Sequence, residues 1–145
     1  MRNDIARSSR PGLAGGGALL VAAALIAPAP AHATPEVPSG RYTVLYTDSD
    51  KSTMWLFAPC GSDCTLATSQ DGGTFVISWE FDLVNGRWTH SGATQAPCAN
   101  GTSVPATVDY SFDAVSLAGE GTTTTSDGCG GPGSTVTRPF RLTKT

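Results

Sequence analysis

Between Gly73 and Ser91 the chain reads GTFVISWEFDLVNGRWTHS. Phe75, Ile77, Trp79, Phe81 and Leu83 take every second position, with Val76, Ser78, Glu80, Asp82 and Val84 between them. That alternation is the period of a strand with one buried face. Asn85-Gly86 follows, and both residue types tolerate the positive φ that a two-residue type I′ hairpin turn demands. Pairing across this turn sets Val84 opposite Arg87, Leu83 opposite Trp88, Asp82 opposite Thr89 and Phe81 opposite His90. Trp88 and His90 then share the buried face with the aromatic row. A one-residue slip would bury Arg87, Asp82 and Glu80 instead, so the register is well specified.

The remaining pattern predicts six further strands. Arg41 to Thr47 alternates with Tyr42, Val44 and Tyr46 on one face, and Thr53 to Ala58 is apolar on both faces, as in a central or covered strand. Thr65 to Ser69 is a short third strand. Beyond the hairpin, Ala106 to Asp113 places Val108, Tyr110 and Phe112 together, and Leu117 to Ser126 carries a β-favouring threonine run. Thr135 to Thr143 turns Val136, Phe140 and Leu142 inward, with Pro139 marking an edge or a bulge. Gly92 to Val104 reads as a long loop, and Asp127 to Ser134 (DGCGGPGS) as irregular. Short strands joined by turn signals predict an all-β fold: a small antiparallel barrel of about eight strands, with a β-sandwich as the alternative.

Residues 1–33 stand apart from this pattern. Arg2, Arg7 and Arg10 precede a small apolar run from Leu13 to Ala27, and Ala31-His32-Ala33 is an A-x-A cleavage site. These are the marks of a secretory signal peptide for the general export route, with Thr34 as the first mature residue. The apolar run falls short of the ~20 residues a spanning helix needs. Export leaves 112 of the 145 residues: a Pro-rich lead-in at 34–40 and a single β domain at 41–145. The expected location is the extracellular space or the cell envelope, with no membrane insertion after cleavage.

Setting residues 1–33 aside, nine Lys and Arg fall to six and twelve Asp and Glu to eleven, a net of −5. That balance disfavours nucleic acid and anionic membrane surfaces as partners, since both select basic patches. The cysteines are Cys60, Cys64, Cys98 and Cys129, and an even number in an exported chain implies disulfides. Three pairings are possible. Cys60–Cys64 and Cys98–Cys129 is the expected one, because Gly61-Ser62-Asp63 is a turn sequence and the other two cysteines lie in Gly-rich loops. C-x3-C with no nearby histidine does not suit zinc, and no metal or cofactor is expected.

Trp55-x-Phe57-x-Pro59-Cys60-Gly61-x-x-Cys64 resembles a group of small exported actinobacterial proteins of uncharacterised function. The resemblance extends to Gly40-Arg41-Tyr42-Thr43-Val44, Gly86-Arg87-Trp88, Cys98-Ala99-Asn100-Gly101 and Phe140-Arg141-Leu142. It implies export and a disulfide-bonded β fold, and it transfers no active site.

Candidate chemistry is sparse. His90 is the one histidine after residue 33 and falls on the apolar face, and the sequence contains no G-x-S-x-G or H-E-x-x-H pattern. Glu80, Asp82, Asp109 and Asp113 fall on faces expected to be wet, whereas paired catalytic carboxylates need a cleft. Asp48-x-Asp50 opens like a calcium loop but has Thr53 and Pro59 at its sixth and twelfth positions. An eight-stranded barrel either fills its interior or holds one small ligand. Residues that would line such a space are Trp55, Trp79, Trp88, His90 and Tyr110. The expectation is a non-enzymatic binding or interaction module with an envelope or extracellular partner. The alternative is a carrier of a small apolar or aromatic ligand inside the barrel.

Overall fold

A computed structural model describes residues 34–71 and 74–145, with Asp71 and Thr74–Val76 described by their backbone alone. The expected signal peptide and its cleavage site, and the side chain of Phe75, lie outside the described residues. The chain divides into the units Met1–Ala31 and His32–Thr145, and the second holds every described element. No helix among the described residues is long and apolar enough to cross a membrane.

The fold is all-β. Eight strands follow one another as β1 (Gly40–Tyr46), β2 (Ser52–Pro59), β3 (Cys64–Asp71), β4 (Thr74–Val84), β5 (Arg87–Pro97), β6 (Ser103–Asp113), β7 (Ala118–Asp127) and β8 (Pro132–Lys144). Each pairs antiparallel with its neighbours in sequence, and β8 returns to β1, closing a barrel. Closure removes the free edges a sandwich would leave. Asn85 and Gly86 adopt φ of 49° and 77°, and the pairs Val84/Arg87, Leu83/Trp88 and Asp82/Thr89 form as the turn dictates.

Connections alternate between two ends of the barrel. One end carries the Cys60–Cys64 turn, the Asn85-Gly86 turn and the turn from Ala114 to Leu117. This end is plugged. Val37 packs on the core from the lead-in, and the buried Thr65 hydroxyl donates to the Pro38 carbonyl at 2.9 Å. Asp113 closes the third turn by accepting the Val115 and Ser116 N–H groups at 3.0 and 2.7 Å. The core fills the adjoining half: Trp55, Phe57, Phe81, Trp88, Phe112 and Phe140 are all buried. Trp55 lies at its centre, with ring centroids 5.1–6.0 Å from those of Phe57, Trp79, Phe81, Tyr110 and Phe140. Two β7 glycines make room for this packing. Gly119 faces Phe112 and Gly121 faces Tyr110, and a Cβ on either would come within 2.5 Å of the aromatic residue opposite.

Four sequence expectations need correction. Gly92 to Val104 is not a long loop: β5 runs on to Pro97, β6 starts at Ser103, and the turn is Cys98 to Thr102. In Asp127 to Ser134 the irregular part shrinks to the four residues Gly128 to Gly131, with β7 ending at Asp127 and β8 beginning at Pro132. Gly, Ala and Thr give no hydrophobic alternation, yet their backbones pair like any others. Pro139 lies on neither an edge nor a bulge. It sits one position past the last β1 pair, Tyr46/Phe140, and its carbonyl accepts the Thr47 N–H at 3.0 Å, so its missing donor faces the end of that ladder. Among the described residues no second layer covers strand β2, and its outer residues Met54 and Leu56 are half-buried.

One seam is short. The β4–β5 ladder stops at Asp82/Thr89, whereas β5 stays paired with β6 as far as Pro97/Ser103. The pair Phe81/His90 is therefore absent from the ladder, although the two rings still meet at 5.7 Å. His90 Nδ1 instead lies 2.8 Å from the Glu80 carbonyl oxygen. An acceptor there makes Nδ1 the protonated nitrogen, and the imidazole clasps the seam where backbone pairing ends.

Cys60–Cys64 and Cys98–Cys129 are the two disulfides, with Cα separations of 5.0 and 5.6 Å. The first closes one turn at the plugged end. The second ties the β5–β6 turn to the β7–β8 turn at the other end. Their sequence separations of 4 and 31 imply loop-closure contributions of about 2 and about 3.7 kcal/mol. Paired Cys→Ser replacement should therefore lower the urea midpoint more for Cys98/Cys129 than for Cys60/Cys64. The reverse order would show that the mouth disulfide is not a stability constraint.

Candidate functional site

The second half of the barrel is not filled. Inward positions there are small: Ala96 on β5, Val104 on β6, Gly121, Thr123 and Thr125 on β7, Ser134 and Val136 on β8. Together with Tyr46, Pro97, Tyr110, Arg138 and the turn residues Gly128 and Cys129 they line a cavity of about 540 Å³ that is open to solvent, with Ser134 and Val136 exposed at its border. Its walls follow from register. Tyr110, Gly121 and Arg138 stand in one cross-strand row, and Val108, Thr123 and Val136 in the next. A second space of about 370 Å³ adjoins Trp55, Trp79, Ser69 and Lys51. Tyr46 and Arg138 border both spaces.

The floor is the upper surface of the aromatic core. Tyr110 packs edge-on against Trp55 and Trp79, with centroids 5.2 and 5.1 Å away. Burial pushes its phenol up to about 12, so its hydroxyl is a proton donor across the physiological range. The Tyr46 hydroxyl is raised in the same direction, chiefly by burial. The indole N–H of Trp79 is buried and has no hydrogen-bond partner among the described residues. An unmet buried donor costs about 1–3 kcal/mol, and Trp79 borders the smaller space.

Arg138 is the charged residue of the larger cavity. Its guanidinium lies 4.1 Å from the centroid of the Tyr46 ring. Nε donates to Asp48 Oδ2 at 3.2 Å, and Nη2 donates to Asp48 Oδ1 at 3.0 Å and to Ser49 Oγ at 2.8 Å. The hydrogen bond from Arg138 holds the Asp48 carboxyl below the usual carboxylate range. Asp48 and Ser49 belong to the β1–β2 turn at the open end, so the rim fixes the orientation of a side chain that points inward.

The residues expected to line a ligand space take different places. Trp55 and Trp79 border the smaller space, and Tyr110 borders the larger. Trp88 is fully buried in the packed half. His90 is half-buried at the β4–β5 seam and borders neither space. Glu80 and Asp82 stand exposed on the outer wall beside Cys64, whose sulfur is held in a disulfide. Asp109 is exposed as well. Sequence reasoning missed Tyr46, Ala96, Val104, Thr123 and Arg138. A signal for Arg138 existed, because the parity that turns Val136, Phe140 and Leu142 inward turns Arg138 inward too.

Comparison with protein-family models, with curated proteins and with solved structures produced no match. The reading below therefore stands on the geometry.

The floor makes a pH-dependent expectation. Tyr110 has a folded-state pKa of about 12 against an unfolded value of 10.0. The neutral phenol thus contributes stability that is complete below pH 10.0 and is lost as pH rises through about 12. Ultraviolet titration of the folded protein should show a tyrosine ionising near pH 12, and Tyr110→Phe should remove that step. Ionisation of Tyr110 near pH 10.0 while the fold persists would contradict the buried floor.

Proposed function

We propose that this protein binds a small, largely apolar or aromatic molecule in the open half of its barrel and holds it without turnover. The observation that carries this reading is the 540 Å³ cavity beside a packed half-barrel. Its size falls within the ~300–1,000 Å³ of ordinary ligand pockets. Its make-up is of the same kind: small and apolar walls, an aromatic floor, and a few convergent polar groups that can orient a guest. The rim turns are stapled by Cys98–Cys129, which favours a pre-formed site and lowers the ordering cost of binding.

Binding is favoured over catalysis by what the larger cavity presents. Among the described side chains its lining has no carboxylate and no histidine, the usual groups for general acid–base work. A surface interaction module is the weaker reading. The exposed apolar side chains Leu45, Leu66, Val84, Val115 and Val136 stand on different elements, the last of them at the border of the cavity, and isolated exposure of this kind is ordinary for a protein surface. The two disulfides are consistent with an extracellular protein, so the guest would be met outside the cytoplasm.

The uncharged dye N-phenyl-1-naphthylamine, which fluoresces when it leaves water, tests the proposal. Wild-type protein should enhance its emission saturably. Ala96→Trp places a ring in the cavity from a half-buried wall position and should weaken binding by roughly tenfold or more, about 1.4 kcal/mol. Its far-ultraviolet circular dichroism and melting temperature should stay close to wild type. Absence of a saturable signal, or equal affinity in the filled variant, would refute the cup.

A further inference from the structure

The charges that line the two spaces differ in sign from the balance of the chain, although the surrounding rim carries Asp48, Asp50 and Asp127. Residues 34–145 carry eleven Asp and Glu against six Lys and Arg. Yet the charged side chains bordering the two spaces, among those described, are Arg138 and Lys51, both cationic. Asp48, the nearest acid to Arg138, belongs to the rim and lines neither space.

Arg138 is also built as a fixed cation. Asp48 and Ser49 occupy Nε and Nη2, and the Tyr46 ring supports one face of the guanidinium. Nη1 has no protein partner among the described residues. A guanidinium held this way keeps a donor for an incoming oxygen and loses little conformational freedom when it binds. Tyr46 and Tyr110 border the same cavity, and each carries a phenol hydroxyl. Two neutral donors beside a guanidinium form a pocket for oxygens bearing negative charge.

Resting on the cup reading above, we infer that the guest is amphipathic: an apolar or aromatic body carrying one anionic group, a carboxylate or sulfonate, seated against Arg138 and the two tyrosine hydroxyls. The body lies along Ala96, Val104, Thr123 and Val136.

Two dyes with the same three-ring skeleton separate this inference from the cup itself. 8-Anilino-1-naphthalenesulfonate bears the anion, and N-phenyl-1-naphthylamine lacks it. Both are titrated against wild type and Arg138→Gln, with circular dichroism as the folding control. Loss of a charge-assisted hydrogen bond should weaken the sulfonate roughly 10- to 100-fold. The neutral dye should change less than about threefold, and Arg138→Lys should recover part of the sulfonate affinity. Raising salt should weaken only the sulfonate. Equal loss of both dyes in Arg138→Gln would make Arg138 a structural rim residue, and no loss of either would remove it from recognition; both results overturn the anionic-group inference and leave the cup standing. If neither dye binds wild type, the cup fails and this inference fails with it.

Discussion

Trp55 touches five other aromatic rings, and the two-part interior depends on that cluster. Eight strands enclose a fixed volume, and large rings concentrated toward one end leave the other end under-filled. The plugged end closes the cluster from below through Val37, Pro38 and the turn from Ala114 to Leu117. Tyr110 and Trp79 cap it from above and serve as the floor of the open half. Gly119 and Gly121 are the counterpart of these rings, since a side chain at either position would collide with Phe112 or Tyr110. The cup is thus a consequence of where the barrel places its bulk.

Two devices hold the open half in shape where no core supports it. The Cys98–Cys129 bridge joins the tips of two long hairpins, β5–β6 and β7–β8. The Arg138–Asp48 pair joins β8 to the β1–β2 turn. That pair is solvent-accessible, so its energetic contribution is small, and its effect is to orient the guanidinium. His90 plays a related part at the seam, replacing a missing backbone pair between β4 and β5 with a side-chain contact to Glu80. Each device is polar or covalent because the inward positions nearby are too small to pack.

This division explains which features were legible in the sequence. The packed half announces itself. Trp79 and Phe81 alternate with polar neighbours, Trp55 and Phe57 stand in a run apolar on both faces, and Asn85-Gly86 fixes the central register. Both cysteine pairings followed from turn composition. The open half is silent on the same scale. Gly92, Thr94 and Ala96 alternate inward as faithfully as the aromatics do, but small residues facing a cavity leave no hydrophobic signature, so a strand passes for a loop. The same blindness hides Thr123 and Ser134. His90 misleads for the opposite reason: parity points it inward, and the end of the β4–β5 ladder turns it to the seam. Arg138 was readable by parity alone, as a charge among inward-facing apolar positions.

Two-dimensional amide NMR of the protein titrated with N-phenyl-1-naphthylamine tests the half-filled barrel most directly, because it locates the guest residue by residue. The expected result is a set of shifted signals confined to the open half, centred on Ala96, Val104, Tyr110, Gly121, Thr123 and Val136, with Phe57, Trp88 and Phe112 unmoved. Shifts centred on Val37, Ala114 and Leu117 at the plugged end, or spread over Leu45 and Leu66 on the outer wall, would contradict it.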